Sequence, residues 1–367
     1  MFDKSVLQEL ASTQADGAIL SVYLNVDPKQ RSAEEYKLTL REMLKQAEAE
    51  VDSEDINAVR RYMDLEYDWS GRGLVIFSRQ AEDIWYALPL PVPVQSGVTV
   101  VRKPYISPLV ELEGVYGRYA VALIDKQGAR FFLFQMGELV AQEGVMGEEI
   151  RRTRKGRGSS MVGMRGGAPA SGRKEAEVVQ RNLREVASAL THFTQKHKPR
   201  RLLLAGADPT VAQFQETLPA PLQEIVVGAF AADMEAGEVN IRERSLEVLQ
   251  QLAIQRKAQL IEAVITAAAK GLNGVIRLDE TLSAAHEGRV QVLLVERDYH
   301  QPGYRCSGCG YLTTQALGDC PFCGNKFEEI PDAAEAVVTQ VVEKGGAIEV
   351  VDNDTMGEAH IGALLRY

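Results

Sequence analysis

The chain has 367 residues, 45% of them apolar and 25% charged, which suits two or three ordinary globular domains and excludes disordered or fibrous classes. A formal net charge of −10 is wrong for a protein that coats nucleic acid over its whole surface, and no apolar run reaches the roughly 18 residues of a membrane span. The first residues, MFDKSVLQELASTQ, lack a basic segment followed by an apolar core, so no secretory signal is expected and the expected compartment is the cytoplasm.

The first unit is expected over residues 1–115. Ala18–Val26 (AILSVYLNV) reads as a strand ended by Asp27-Pro28, and Ala33–Val51 as a helix rich in Glu, Lys, Leu and Ala. Gly73–Ser78 and Trp85–Leu90 read as further strands, followed by a turn at Pro91–Pro93. A small α/β unit ends near Gly114–Gly117.

The second unit is expected over residues 116–238. Tyr119–Ile124 and Ala129–Phe134 flank Asp125-Lys126-Gln127-Gly128, a hairpin with a glycine in its tip. A long helix is expected from about Arg173 to Lys196. Its apolar stripe, Ala176, Val179, Leu183, Val186, Leu190 and Phe193, steps by three and four and must pack on a sheet. Arg201–Ala205 and Glu224–Val227 are strand candidates.

The third unit, residues 239–367, opens with a helix over Ser245–Lys270. Strands at Gly274–Arg277, Val290–Val295 and Ala347–Val351 alternate with helices at Thr281–His286 and Asp332–Lys344. Helix and strand alternate along the whole chain, which predicts an α/β fold of three domains, the last an α/β/α sandwich.

Charge is unevenly shared among these parts. Residues 1–115 hold twelve basic and nineteen acidic residues, residues 116–238 seventeen and fourteen, and residues 239–367 twelve and eighteen. The positive middle is concentrated in residues 151–174, where Arg151, Arg152, Arg154, Lys155, Arg157, Arg165, Arg173 and Lys174 occur without one acid. Gly156–Gly172 also contains six glycines, Gly156 and Gly158 among them. Such a run cannot build a core, and glycine loses the most entropy on ordering. Arginines along pliant backbone suit a ribose-phosphate chain. The segment is therefore the candidate RNA-binding site.

All four cysteines form one pattern: Cys306-Ser-Gly-Cys309, ten residues, then Cys320-Pro-Phe-Cys323. Two such pairs on glycine-flanked knuckles make a zinc ribbon over residues 303–326, its four thiolates a closed tetrahedral shell. A closed shell makes Zn2+ structural. Two disulfides would need an oxidising compartment, to which nothing in the sequence points.

Familiar enzyme patterns are missing. There is no G-x-x-x-x-G-K-[ST], and no G-x-G-x-x-G follows a strand. His192, His197, His286, His300 and His360 are scattered, and Ser159 and Ser160 have no base nearby in sequence. Asp125 and Asp208 suit turn and cap roles better than a carboxylate pair. No catalytic residue is assigned.

The hairpin, the Lys155-Gly156-Arg157-Gly158 stretch and the long basic-edged helix resemble the central, RNase H-like domain of archaeo-eukaryotic peptide-chain release factors and their Pelota relatives. There a Gly-Arg-Gly-Gly-Gln loop leads into such a helix. Gly288-Arg-Val-Gln-Val-Leu-Leu-Val295 resembles the central strand of their ribosomal-protein-like C-terminal domain, and Cys306–Cys323 the zinc insertion of archaeal members. The ending Ile361-Gly-Ala-Leu-Leu-Arg-Tyr367 is similar to their closing Gly-Ile-x-Ala-Leu-Leu-Arg-Tyr. The resemblance runs over roughly residues 119–367, and the strand at Ile19–Pro28 looks like the bacterial branch.

The departures bear on mechanism. Gly158 is followed by Ser159-Ser160 and Gly166-Gly167 by Ala168, so the loop has no glutamine, and residues 1–115 lack the stop-codon-reading Asn-Ile-Lys-Ser. Pelota-type factors lack both motifs and act on stalled or idle ribosomes. The resemblance thus implies a ribosome-binding factor of rescue or hibernation at the A site, contacting ribosomal RNA or a tRNA acceptor end and a translational GTPase, with neither membrane nor DNA as partner. The competing expectation is a peptidyl-tRNA hydrolase whose loop amides position water.

Overall fold

The computed structural model describes residues 4–13, 15–101, 103–148, 168–297 and 299–367, the side chains of residues 4, 5, 8, 11 and 168–173 excepted. The chain forms two compact units, residues 1–250 and 251–367.

In the first unit α1 (Lys4–Ser12) precedes β1 (Ile19–Asn25), α2 (Ala33–Ala47) and α3 (Ser53–Arg61), which runs into a π-helical turn at Tyr62–Glu66. Then come β2 (Gly73–Arg79), β3 (Ile84–Leu90) and β4 (Gly97–Val101), giving an antiparallel sheet in the order β3-β2-β1-β4. Alternation in β1 decides what each face meets. Leu20, Val22 and Leu24 pack with Tyr36, Leu40 and Leu44 of α2 and Ile56 and Val59 of α3. Ile19 and Tyr23 point the other way, into a core shared with the second sheet. Ser32 starts α2, accepting from the Glu35 amide while its own amide donates to the Glu35 carboxylate. Such a reciprocal cap contributes about 1 kcal/mol.

The second sheet follows α4 (Ser107–Tyr116). Strands β5 (Arg118–Asp125), β6 (Gly128–Gln135) and β7 (Glu138–Met146) form a meander, and α5 (Ala168–His197) leads to β8 (Arg201–Gly206). After α6 (Asp208–Thr217) and α7 (Ala220–Ile225), β9 (Val226–Phe230) completes the order β7-β6-β5-β8-β9. β5 pairs with β8, and β8 with β9, in parallel. Ala120, Ala122, Ile124, Phe131 and Leu133 line the face covered by α5 and α6. Tyr119, Val121, Phe132 and Phe134 line the opposite face, with Ile241, Leu246 and Leu249 of α8 (Glu238–Ala269).

The second unit begins within α8. It holds β10 (Gly274–Ile276), α9 (Leu278–His286), β11 (Val290–Glu296), β12 (Gly303–Cys306), β13 (Leu312–Thr313), β14 (Phe327–Ile330), α10 (Ala333–Glu343), β15 (Ala347–Val351) and β16 (Ile361–Leu365). The main sheet runs β10-β16-β11-β15 and the small one β13-β12-β14. Leu294 and Val351 pack with Leu260 and Val264 of α8, while Leu293, Ile361 and Ala363 pack with α9 and α10. An α/β/α sandwich with an inserted ribbon results, as the alternation implies.

Several elements differ from the sequence expectation. The helix expected to Val51 stops at Ala47 because Asp52, in extended backbone, restarts the chain as α3. Ala176 is exposed, since the buried stripe of α5 begins only at Val179. Residues 224 and 225 end α7, started by Pro221 near its first position, so the strand shifts to Val226–Phe230.

Candidate functional site

The ribbon holds a cluster suited to a metal. The sulfurs of Cys306, Cys309, Cys320 and Cys323 all lie within 4.8 Å of one another. Cys306 Sγ is 3.3 Å from Cys323 Sγ, and Cys309 Sγ 3.6 Å from Cys320 Sγ. Four sulfurs at the zinc–thiolate length of about 2.3 Å from one centre sit about 3.8 Å apart, so the set fits tetrahedral Zn2+.

Each knuckle closes in the same way. The Gly310 amide donates to the Cys306 carbonyl at 3.1 Å, and the Gly324 amide to the Cys320 carbonyl at 2.8 Å. Both glycines hold left-handed φ, +73° and +74°, which a side chain would strain. Without metal the thiols diverge. Burial and the neighbouring sulfurs push Cys309 up to about 12, while the Asn325 amide draws Cys323 down to about 6.

Of the predicted RNA-binding residues, Arg151, Arg152, Arg154, Lys155, Gly156, Arg157, Gly158 and Arg165 lie outside the described residues, as do Ser159 and Ser160. Arg173 belongs to α5, and Lys174 is exposed there. What the structure describes is the base of the segment. Asn182, buried inside α5, accepts from the Glu148 amide at 2.9 Å. It donates to the carbonyls of Lys126 at 3.0 Å and Glu148 at 2.9 Å. The Gly147 amide donates to the Gln127 carbonyl at 2.7 Å, and a Cβ on Gly147 would lie 2.5 Å from Asn182 Oδ1. Sequence reasoning missed this clamp. Its signal is an asparagine beside Leu183 in an apolar helix stripe, because a buried amide demands partners.

The remaining candidates stay apart. His197 meets Glu143, His300 meets Asp332, His360 meets Glu296, and His286 sits among the rings of Tyr311 and Phe322. Asp125 accepts from the Lys126 amide, the turn role expected of it, whereas Asp208 is the first residue of α6 and makes no capping bond, Ala207 holding the cap position. An open groove of about 510 Å³ is lined by Arg41, Lys45, Glu48, Arg60 and Asp64, none of them a predicted site residue. Among the described residues no helix is long and apolar enough to cross a membrane.

The archaeal translation termination factor aRF1 is 16% identical over 99% of this chain and 96% of its own, with a TM-score of 0.26. Pelota from Archaeoglobus fulgidus is 16% identical over 80% of this chain and 79% of its own, with a TM-score of 0.35. Dom34 from S. cerevisiae, described as a translation termination-like factor interacting with Hbs1, is 10% identical over 80% and 79%, with a TM-score of 0.42. No curated protein sequence matches the chain. Residues 104–255, spanning the hairpin, the basic segment and α5, match the model of bacterial archaeo-eukaryotic release factor family 10. Over that region, less than half of its length, the chain is similar to bacterial archaeo-eukaryotic release factor family 10.

Proposed function

We propose that this protein is a ribosome-binding translation factor of the release-factor and Pelota kind, acting in rescue or hibernation at the A site without hydrolysing peptidyl-tRNA. The observation that carries the reading is the shape of α5. Its side chains from Lys174 to Glu177 are all exposed, and its buried stripe begins at Val179. From Ala168 to Val179 the helix rises about 16 Å, so its first turns, with Arg173 and Lys174, extend past the part of α5 that is packed. That end of the helix carries Arg173 and Lys174 beside Glu175 and Glu177, and Arg181 and Arg184 follow on its exposed face, which suits a reach along RNA.

In this reading residues 1–115, 116–238 and 239–367 act as three functional parts. Arg151, Arg152, Arg154, Lys155, Arg157, Arg165, Arg173 and Lys174, with Gly156 and Gly158 between them, meet ribosomal RNA or a tRNA acceptor end. The C-terminal part, rigidified by structural Zn2+ on its four cysteines, meets a translational GTPase. The missing glutamine between Gly156 and Gly172 favours occupancy over hydrolysis, and the reading makes the protein cytoplasmic.

The test is sedimentation with 70S ribosomes, vacant or carrying peptidyl-tRNA, with released peptide scored in the same tubes. Binding without release is expected. Release would establish a hydrolase that positions water through loop amides, and absence of binding would sink the ribosomal reading.

A further inference from the structure

We infer that a cavity of about 100 Å³ beside Arg72 is a binding site for a small α-amino acid, held by its carboxylate on Arg72 and Tyr116 and by its ammonium at Glu247. The inference goes beyond the ribosomal reading and does not depend on it. Every wall belongs to the first compact unit: the loop after β1, the approach to β2, the turn after β3, the end of α4 and the first turns of α8.

The floor is set by one guanidinium held at both ends. Arg72 stands between Gly71 and Gly73, where a Cβ would lie 2.7 Å from the Leu90 carbonyl oxygen and 2.6 Å from that of Val92. Its amide donates to the Leu90 carbonyl at 2.8 Å, and its own carbonyl accepts from the Val26 amide at 3.0 Å. Asp27 takes Nε and Nη2. Nη1 has no partner among the described residues, so its N–H donors are left for the cavity. Beside it Tyr116, the last residue of α4, is only 7% exposed. Its hydroxyl also has no hydrogen-bond partner among the described residues, and the charge of Arg72 reaches it. A buried hydroxyl without a partner is costly unless a polar group comes to meet it.

The mouth has the opposite charge. Glu243, Leu246 and Glu247 stand three and four positions apart on one face of α8. Glu243 is paired with Lys29, Oε1 2.7 Å from Nζ, whereas Glu247 makes no ion pair among the described residues. A simple anion on Arg72 would therefore sit beneath an uncompensated carboxylate. A simple cation at Glu247 would leave the Arg72 and Tyr116 donors unused. A solute with both charges one carbon apart answers both, and that solute is an α-amino acid. Val92 and Leu246 supply the apolar wall for its side chain. The cavity volume is the liquid share of about three waters, so that side chain must be short, as in glycine, alanine or serine.

Titration of the full chain with glycine, alanine and serine tests the site, followed by calorimetry and by the methyl resonances of Val92 and Leu246. Acetate, inorganic phosphate and methylammonium serve as half-ligands. At least one amino acid should bind with a dissociation constant of about 0.1 mM, modest for so few atoms. Each half-ligand should bind at least about tenfold more weakly, having one charge-assisted contact fewer. Tyr116→Phe and Glu247→Gln should each weaken the amino acid about tenfold, the loss of one bond to a charged group. Glu247→Gln should leave acetate binding no weaker, because only the ammonium meets that carboxylate. Urea midpoints of both variants should match the wild type, since neither group has a protein partner to lose.

Absence of binding by all three amino acids up to about 10 mM, by either readout, overturns the inference. So does acetate or phosphate binding as tightly as the amino acids, which would make the site one for simple anions. Binding that neither variant weakens would place the amino acid elsewhere and overturns it too. The ribosome takes no part in the measurement, so the proposed function stands or falls separately.

Discussion

Arg72 closes over the carboxylate of Asp27, its Nη2 2.6 Å and its Nε 2.9 Å from Oδ2. Asp27 is 1% exposed, and the Lys29 amide occupies its other oxygen at 3.1 Å. Its carbonyl accepts from the Tyr36 hydroxyl at 2.9 Å. One aspartate thus joins the end of β1, the start of α2 and the approach to β2.

Burial alone would raise the Asp27 carboxyl, but the hydrogen bonds and charge of Arg72, with the Lys29 amide, outweigh it and hold it below the ordinary carboxylate range. A depressed carboxyl stabilises the fold fully above its unfolded value, near 3.9, and loses that contribution as pH falls through its lower folded value. Asp27→Ala, which leaves a partly buried guanidinium unpaired, should cost about 3 kcal/mol. Urea denaturation at pH 7 and pH 3 measures it. A cost below about 1 kcal/mol, the ordinary worth of an exposed pair, would mean the pair contributes as surface pairs do.

Glu296 at the end of β11 carries an acid-sensitive strap in the second unit. It is 3% exposed and accepts from the Met356 amide at 2.9 Å and meets His360 Nδ1 at 2.7 Å. Those bonds hold His360 in left-handed backbone, φ 52°, with its ring stacked on Tyr299. Burial opposes ionisation, but His360 and the backbone amides prevail and the carboxyl stays below its usual value. Its contribution is therefore fully present above the unfolded value of about 4.3 and is lost as pH falls through the lower folded value. Glu296→Gln should destabilise this unit by about 2 kcal/mol and flatten its acid dependence. An acid profile identical to the wild type would place the dependence elsewhere.

What could be read from the sequence follows from where physical signals are local. The β5–β6 hairpin, β8 and the stripe from Val179 to Phe193 are written in period-two and helical spacing, and the cysteine pairs in ligand spacing. β4, Gly97–Val101, escapes because a five-residue GVTVV edge after a proline turn resembles a loop until β1 pairs with it. Asn182 escapes because its three partners lie 34 and 56 positions away in the chain. The Asp27–Arg72 and Glu296–His360 pairs, 45 and 64 positions apart, are equally silent in sequence. Side-chain chemistry names such groups as needing partners; only the fold supplies them.

For the ribbon, Cys309→Ser removes one of four thiolates from a site that fits tetrahedral zinc. Elemental analysis should then fall from about one zinc per chain to well below it, and residues 303–326 should lose ordered structure while the main sheets persist. Far-UV circular dichroism should change little, because the ribbon strands are short. A wild-type protein without zinc, purified free of chelator, would remove the metal from the account.

The basic segment makes the sharpest demand on the functional reading. Exchanging Arg154, Lys155 and Arg157 for Glu replaces three attractive charges with three repulsive ones where no acid occurs between Arg151 and Lys174. Every basic side chain withdrawn from a phosphate should reduce the slope of log affinity against log salt by about one. If all three residues touch RNA, the slope falls by about three and ribosome affinity at low salt drops steeply. The difference should shrink as salt rises, because screening weakens the wild-type interaction by the same route. The acidic flanking parts are untouched, so their stability serves as an internal control. A triple variant that keeps both affinity and slope would free the segment from the interface and leave the exposed face of α5, with Arg181 and Arg184, as the next basic surface to reverse.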